Sequence, residues 1–119
     1  MATDTAPDAS TAKTNEPLHV DGTAQLDEVV AENDVVLTDF YADWCGPCKM
    51  LEPIVETLAA ETEAAVAKVD VDANQHLAAE YGVRGVPTLV LFADGQQVEE
   101  LVGVKPEDEL RSLIESYTQ

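Results

Sequence analysis

Cys45 and Cys48 are the chain's two cysteines, and two residues separate them. A pair this close can shuttle between dithiol and disulfide, or it can supply half of a metal site. The loop it closes is too short to hold a fold together, so its redox state reads as chemistry rather than architecture. Thiol exchange needs a thiolate, and an ordinary thiol with a pKa of about 8.5 is mostly protonated at neutral pH. Trp44-Cys45-Gly46-Pro47-Cys48-Lys49 follows an apolar, β-branched run and precedes a helical stripe, which places Cys45 at a helix N-terminus. There the unpaired N–H groups and the positive end of the helix dipole favour the anion. Cys45 is therefore the expected nucleophile. Cys48, one helical turn on, is the expected resolving thiol, able to attack the mixed disulfide that Cys45 forms and release the product. Gly46 and Pro47 suit a first helical turn, where a missing N–H costs nothing.

The competing reading is half of a zinc site. Zinc usually takes four protein ligands, and no second cysteine pair exists. His19 and His76 lie far apart in the sequence without the spacing of a zinc finger, and they read as ordinary histidines. No metal is expected.

The elements that position this pair follow from hydrophobic periodicity. Leu18-His19-Val20 reads as a short strand, and Asp21-Gly22-Thr23 as a turn and cap. Leu26, Val29 and Val30 give a first helix that stops near Asn33. Residues 35–42 (VVLTDFYA) suit a central strand covered on both faces. After the cysteines, Leu51, Ile54, Val55 and Leu58 form a helical stripe, with Pro53 inside it kinking the helix rather than ending it. Residues 65–71 read as a strand, and Asp72 with Gln75 as a capping pair for a short helix closed by Gly82. Residues 88–92 and 97–102 form a hairpin about Asp94-Gly95. The last helix opens near Pro106, with Glu107, Asp108 and Glu109 at its positive end and Leu110, Leu113, Ile114 and Tyr117 as its buried stripe. The order β-α-β-α-β-α-β-β-α predicts an α/β fold with helices on both faces. Strands separated by helices are expected to run parallel, and the closing hairpin to add an antiparallel edge.

At 119 residues, 45% of them hydrophobic, the chain has room and apolar content for one domain. Residues 1–17, rich in Ala, Thr, Asp and Pro and without periodicity, read as a flexible acidic tail before a domain at 18–119. No apolar run approaches the roughly 18–20 residues of a membrane span. Met1-Ala2-Thr3-Asp4 has no basic flank and no apolar stretch behind it, so a secretory signal is not expected and a cytoplasmic location is.

Six Lys and Arg against 24 Asp and Glu give a net charge of −18. Such a surface repels nucleic acid and anionic membrane. The tail holds three acids and one base, so nearly all of this charge lies on the domain. Self-repulsion of that size destabilises a compact state in dilute buffer and is screened at about 1 M salt, where the Debye length is about 3 Å. Adaptation to a salt-rich cytoplasm is the expectation; an acidic protein that prefers basic partners is the alternative.

YADWCGPCKMLEP resembles the active-site segment of the thioredoxin family, and the similarity runs from about residue 18 to the end. Further matching features are Pro53, Lys68 in VAKVDVD, YGVRGVPTL around Pro87, the Asp94-Gly95 hairpin, and Gly103 before the last helix. Tyr41 stands where many members carry a second tryptophan. The resemblance implies the thioredoxin fold, a central mixed five-stranded sheet flanked by four helices. It implies a monomeric protein-disulfide reductase with no bound cofactor, drawing electrons indirectly from NADPH through a flavin-dependent thioredoxin reductase. Disulfide-containing proteins would be its targets. It makes Asp39 the buried carboxylate behind the cysteines, exchanging a proton with Cys48, and Lys68 the partner of that carboxylate. The residues agree for Asp39: an acid within VVLTDFYA, on the Val35/Leu37/Tyr41 face, is costly to bury ionised, which raises its pKa. Lys68 reads equally as a strand lysine that snorkels to solvent. Val86-Pro87 resembles the cis-proline turn beside the cysteines, whose residue before proline offers its backbone to an extended substrate. Trp44, Val86, Pro87 and Gly103 would form the apolar rim.

Two alternatives stand beside the reductase. One is an oxidant or isomerase on the same fold, distinguished by redox potential, although the Gly46-Pro47 dipeptide is the thioredoxin-like pair. The other is a thioredoxin-like binding module in a larger assembly, against which the presence of both cysteines argues.

Overall fold

A computed structural model of the chain describes residues 12–118. Five strands form one sheet: β1 (Leu18–His19), β2 (Val35–Tyr41), β3 (Ala65–Asp70), β4 (Thr88–Ala93) and β5 (Gln96–Val102), in the order β1-β3-β2-β4-β5. The helices are α1 (Thr23–Glu32), α2 (Gly46–Glu61), α3 (Gln75–Glu80) and α4 (Glu107–Glu115). Of the expected tail, residues 1–11 lie outside the described residues, while Lys13 Nζ donates to the Ala59 carbonyl at 2.7 Å.

The central strand β2 is buried along nearly its whole length, and alternation sends its residues to opposite faces. Val36 and Phe40 pack with Leu26 and Val29 of α1 and Leu77 and Ala78 of α3. Val35 and Leu37 pack with Leu51, Val55 and Leu58 of α2 and Leu110 and Ile114 of α4. Asp39 shares the second face, so the alternation that buries these apolar side chains drives a carboxyl into the layer beneath α2. Helix α2 runs through Pro53 to Glu61, as its periodicity predicts. At the outer edge, β5 carries Glu99 and Glu100, charges that discourage pairing with another sheet.

Two expectations are corrected. Strand β4 runs antiparallel to β2, although a helix precedes it; only β1–β3 and β2–β3 are parallel. The register gives the reason. Asp70 ends β3 beside Tyr41, and Thr88 begins β4 beside Phe40, so the chain re-enters the sheet at the end it left. The connection through α3 thus leaves and returns at one end of the sheet, which turns β4 against β2. The second correction concerns the start of α3. Its N-cap is Asn74, with no side-chain cap bond, and no Asp72–Gln75 pair forms. Asn74 instead ties three segments together, its Oδ1 accepting from the Gly22 amide at 2.8 Å and its Nδ2 donating to the Asp70 carbonyl at 3.0 Å.

Candidate active site

Cys45 is the N-cap of α2, in extended conformation (φ −89°, ψ 111°), and Gly46 and Pro47 form the helix's first turn. Cys45 and Cys48 are joined as a disulfide with Cα atoms 5.2 Å apart. The Cys48 amide donates to Cys45 Sγ at 3.1 Å. That donor is one of the groups a helix start leaves without a partner, and it is aimed at the sulfur that carries the charge once the disulfide opens. Both cysteines are only 3% exposed, packed with Ala42 and bordered by Tyr41, Val71 and Val86.

Of the residues expected to form a rim, Val86 borders the cysteine pair directly. Val86-Pro87 is a cis peptide. Gly103, at φ 94°, donates its amide to the Pro87 carbonyl at 2.9 Å, and Thr88 Oγ1 donates to the Gly85 carbonyl at 2.7 Å. The cis-proline loop is thus held from both sides. Trp44 is 70% exposed and lines, with Val71, Val83, Arg84, Gly85 and Val86, a shallow groove of about 160 Å³ next to the cysteines. The residue read as a helix cap has another use here: Asp72 Oδ2 accepts from Trp44 Nε1 at 2.8 Å. Its position two residues past the end of β3 puts it level with the loop that carries Trp44, a juxtaposition that sequence spacing does not encode. Since Trp44 is the one tryptophan, its fluorescence reports this contact directly. Asp72→Ala is expected to lower the anisotropy of Trp44 emission while changing stability by only about 0.5–1.5 kcal/mol, the net worth of one side-chain hydrogen bond.

Asp39, on the face of β2 that α2 covers, is fully buried, and neither carboxylate oxygen has a hydrogen-bond partner in the protein. Burial pushes its pKa from 3.8 up to about 6; the nearby Lys68 charge opposes this rise and the Glu52 charge adds to it. Lys68 stands opposite Asp39 in the β2–β3 register. Its ammonium does not bond Asp39. It points to Glu52 Oε2 at 3.5 Å and lies 4.4 Å from the centre of the Tyr41 ring. The expected Asp39–Lys68 partnership is therefore an electrostatic one between register neighbours, and Glu52 and Tyr41, neither of which the sequence assigned to Lys68, take the direct contacts. Spacing could have flagged Glu52, since it lies one helical turn after Cys48. His19 and His76 are exposed, and among the described residues no cluster of three or more His, Cys, Asp or Glu could hold a metal ion. No helix among the described residues is long and apolar enough to cross a membrane.

A disulfide that opens to a helix-capped sulfur with a second sulfur one turn away makes the chain a thiol–disulfide oxidoreductase. Comparison with known proteins narrows the class. The thioredoxin family model matches residues 17–116. Thioredoxin of Chlamydia muridarum is 50% identical over 84 residues, covering 70% of this chain and 82% of that one. A single-substitution mutant of thioredoxin from Halobacterium salinarum NRC-1 is 70% identical, with a TM-score of 0.88 over 91% of this chain and 96% of that one. Oxidised mitochondrial thioredoxin 3 of Saccharomyces cerevisiae is 31% identical, with a TM-score of 0.76 over 91% and 99%. The chain belongs to the thioredoxin family, and it is a protein-disulfide reductase.

Proposed function

We propose that Cys45 thiolate attacks a disulfide of a target protein, forming a bond to one target sulfur while the other leaves with the electron pair. Cys48 then attacks Cys45 Sγ, the second target sulfur leaves, and the chain is left oxidised as the target is left reduced. Asp39 takes the proton from Cys48 as it becomes a nucleophile and returns it when the disulfide is opened again. Lys68 moderates the charge on Asp39. The observation that carries this reading is the Cys48 amide aimed at Cys45 Sγ, which favours negative charge on that sulfur over the other. A fully buried carboxyl with its pKa near 6 suits proton exchange close to neutrality.

The target binds as an extended segment against Val86, whose loop is anchored through Pro87 to Gly103, with Trp44, Gly46, Pro47, Pro87 and Gly103 completing the rim. The 3% exposure of both cysteines favours a narrow extended chain over a broad domain face. A flavin-dependent thioredoxin reductase, fed by NADPH, recharges the protein, which works as a cytoplasmic monomer with no cofactor of its own and no affinity for nucleic acid or membrane. The net charge of −18 and the likeness to the Halobacterium salinarum protein support adaptation to a salt-rich cytoplasm.

Coupled insulin reduction with NADPH and thioredoxin reductase, run in dilute and in molar salt, tests the reading. The expected result is turnover in both conditions, with the melting temperature rising between dilute buffer and about 1 M salt as the Debye length contracts to about 3 Å. A melting temperature flat across that range rules out the salt adaptation, and absence of turnover in both rules out the reductase cycle.

A further inference from the structure

Lys68 is the cation whose charge acts on Asp39, yet its ammonium makes no hydrogen bond to it. The two residues face each other across β2 and β3, so alternation projects both side chains to the α2 side of the sheet. Lys68 is more than nine-tenths buried, and a buried ammonium so close to a buried carboxyl has strong reason to bond it. Its contacts are instead with Glu52, which is half exposed, and with the face of Tyr41. Asp39 keeps two oxygens without protein donors. Glu52 borders a cleft of about 490 Å³ that His19, Glu56, Lys68 and residues 15–17 also line and that neither cysteine lines. The ionisable groups around Asp39 are thus Lys68 from β3, Glu52 from α2 and Tyr41 from its own strand, while β4 presents Leu89 opposite it.

We propose that Glu52 is a positioning residue of the reaction: its carboxylate draws the Lys68 ammonium toward the cleft, and Asp39, left without a bonded cation, can take and return the Cys48 proton. The inference rests on the proton-transfer role assigned to Asp39 and adds the residue that keeps Asp39 available for it. Without the Glu52 charge, Lys68 retains Tyr41 on one side and finds its strongest remaining acceptor in Asp39. A salt bridge there holds Asp39 as a carboxylate and makes it a weaker base toward Cys48. Glu52 touches neither cysteine in this scheme; it acts through Lys68.

The Glu52→Gln variant tests this by carbon-13 titration of the Asp39 carboxyl in the oxidised protein, where neither cysteine titrates. The Asp39 midpoint is expected to fall by roughly 0.5–1 unit, as loss of a nearby like charge and gain of an opposite one require. Glu52→Asp is expected to restore part of the shift. In the reduced protein, the acidic limb of the rate at which Cys48 releases a target from Cys45 moves down in pH by the same amount. An Asp39 midpoint unmoved in Glu52→Gln overturns the proposal, and so does a moved midpoint that the release rate does not follow. The Asp39→Asn variant separates the parent reading: if it leaves the release rate and its pH limb unchanged, the proton-transfer role of Asp39 is what failed.

Discussion

Cys45→Ser is expected to reduce disulfide turnover by at least about 10³-fold, to the background of the coupled assay, because it removes the only sulfur that the helix start holds as an anion. Cys48 is not an adequate substitute. It lies inside the first turn of α2, and it is Cys45 Sγ, not its own sulfur, that accepts from the helix-start amide. Cys48→Ser is expected to lose turnover to a similar extent by a different route. The nucleophile still attacks, but nothing resolves the mixed disulfide, so target proteins accumulate covalently bound to Cys45. Intact-mass spectrometry distinguishes the two: the Cys48→Ser variant gains the mass of its target, reversibly on addition of a small thiol, and the Cys45→Ser variant does not. Normal insulin reduction by Cys45→Ser removes the assignment of the nucleophile. Melting curves for both variants check that the loss is chemical, since a serine at either place keeps the shape of the side chain.

Asp39→Asn is expected to make the folded protein more stable at pH 8 by up to about 3 kcal/mol, while slowing release of target from Cys45. The stability gain follows from the sign of the shift. Burial raises the folded-state pKa to about 6, against an ordinary value of 3.8. Below about pH 4 the carboxyl is neutral in both folded and unfolded chains and carries no penalty. Between about 4 and 6 the unfolded chain gives up the proton that the native one retains, so stability falls as pH rises through the folded value, and the whole penalty is present above it. A shift of this size corresponds to about 3 kcal/mol. An asparagine has no charge to desolvate, so the gain over wild type should vanish below about pH 4. Urea unfolding of both proteins at pH 4 and pH 8, in the same salt, measures this difference and cancels the contribution of the other carboxylates. Equal gains at both pH values would show that ionisation is not the cause. The kinetic cost is the loss of one general base, on the order of 10²-fold in the release step. Stability and proton transfer are thus opposed at one residue, and the core accommodates a carboxyl with no hydrogen-bond partner in the protein.

Local physics made much of this molecule legible before any coordinates. VVLTDFYA is nearly all apolar and forms a strand buried on both faces. Asp94-Gly95 takes φ values of 52° and 84°, the left-handed pair that a two-residue hairpin demands and that these residue types tolerate. Trp44-Cys45-Gly46-Pro47-Cys48 places a sulfur at a helix N-cap because Gly46 and Pro47 begin a helix well and the stripe through Leu51, Val55 and Leu58 continues it. Each of these depends on neighbours within a few residues, so spacing and residue type carry the answer.

The features that escaped the sequence join distant parts of the chain. Asp72 looks like a cap when only Gln75 is in view; across the fold it meets Trp44, 28 residues earlier. The family resemblance makes Lys68 the partner of Asp39, and adjacent strands do align the two, yet α2 brings Glu52, 16 residues before Lys68, to its ammonium. The direction of β4 depends on where a six-residue helix returns the chain, which no periodicity records. Residue order along the chain thus specified the redox pair and the strand and helix that flank it, because hydrogen-bonding pattern and dipole act over one turn. Which charges surround the buried carboxyl was settled by packing, because Coulomb interactions depend on distance through space rather than along the backbone.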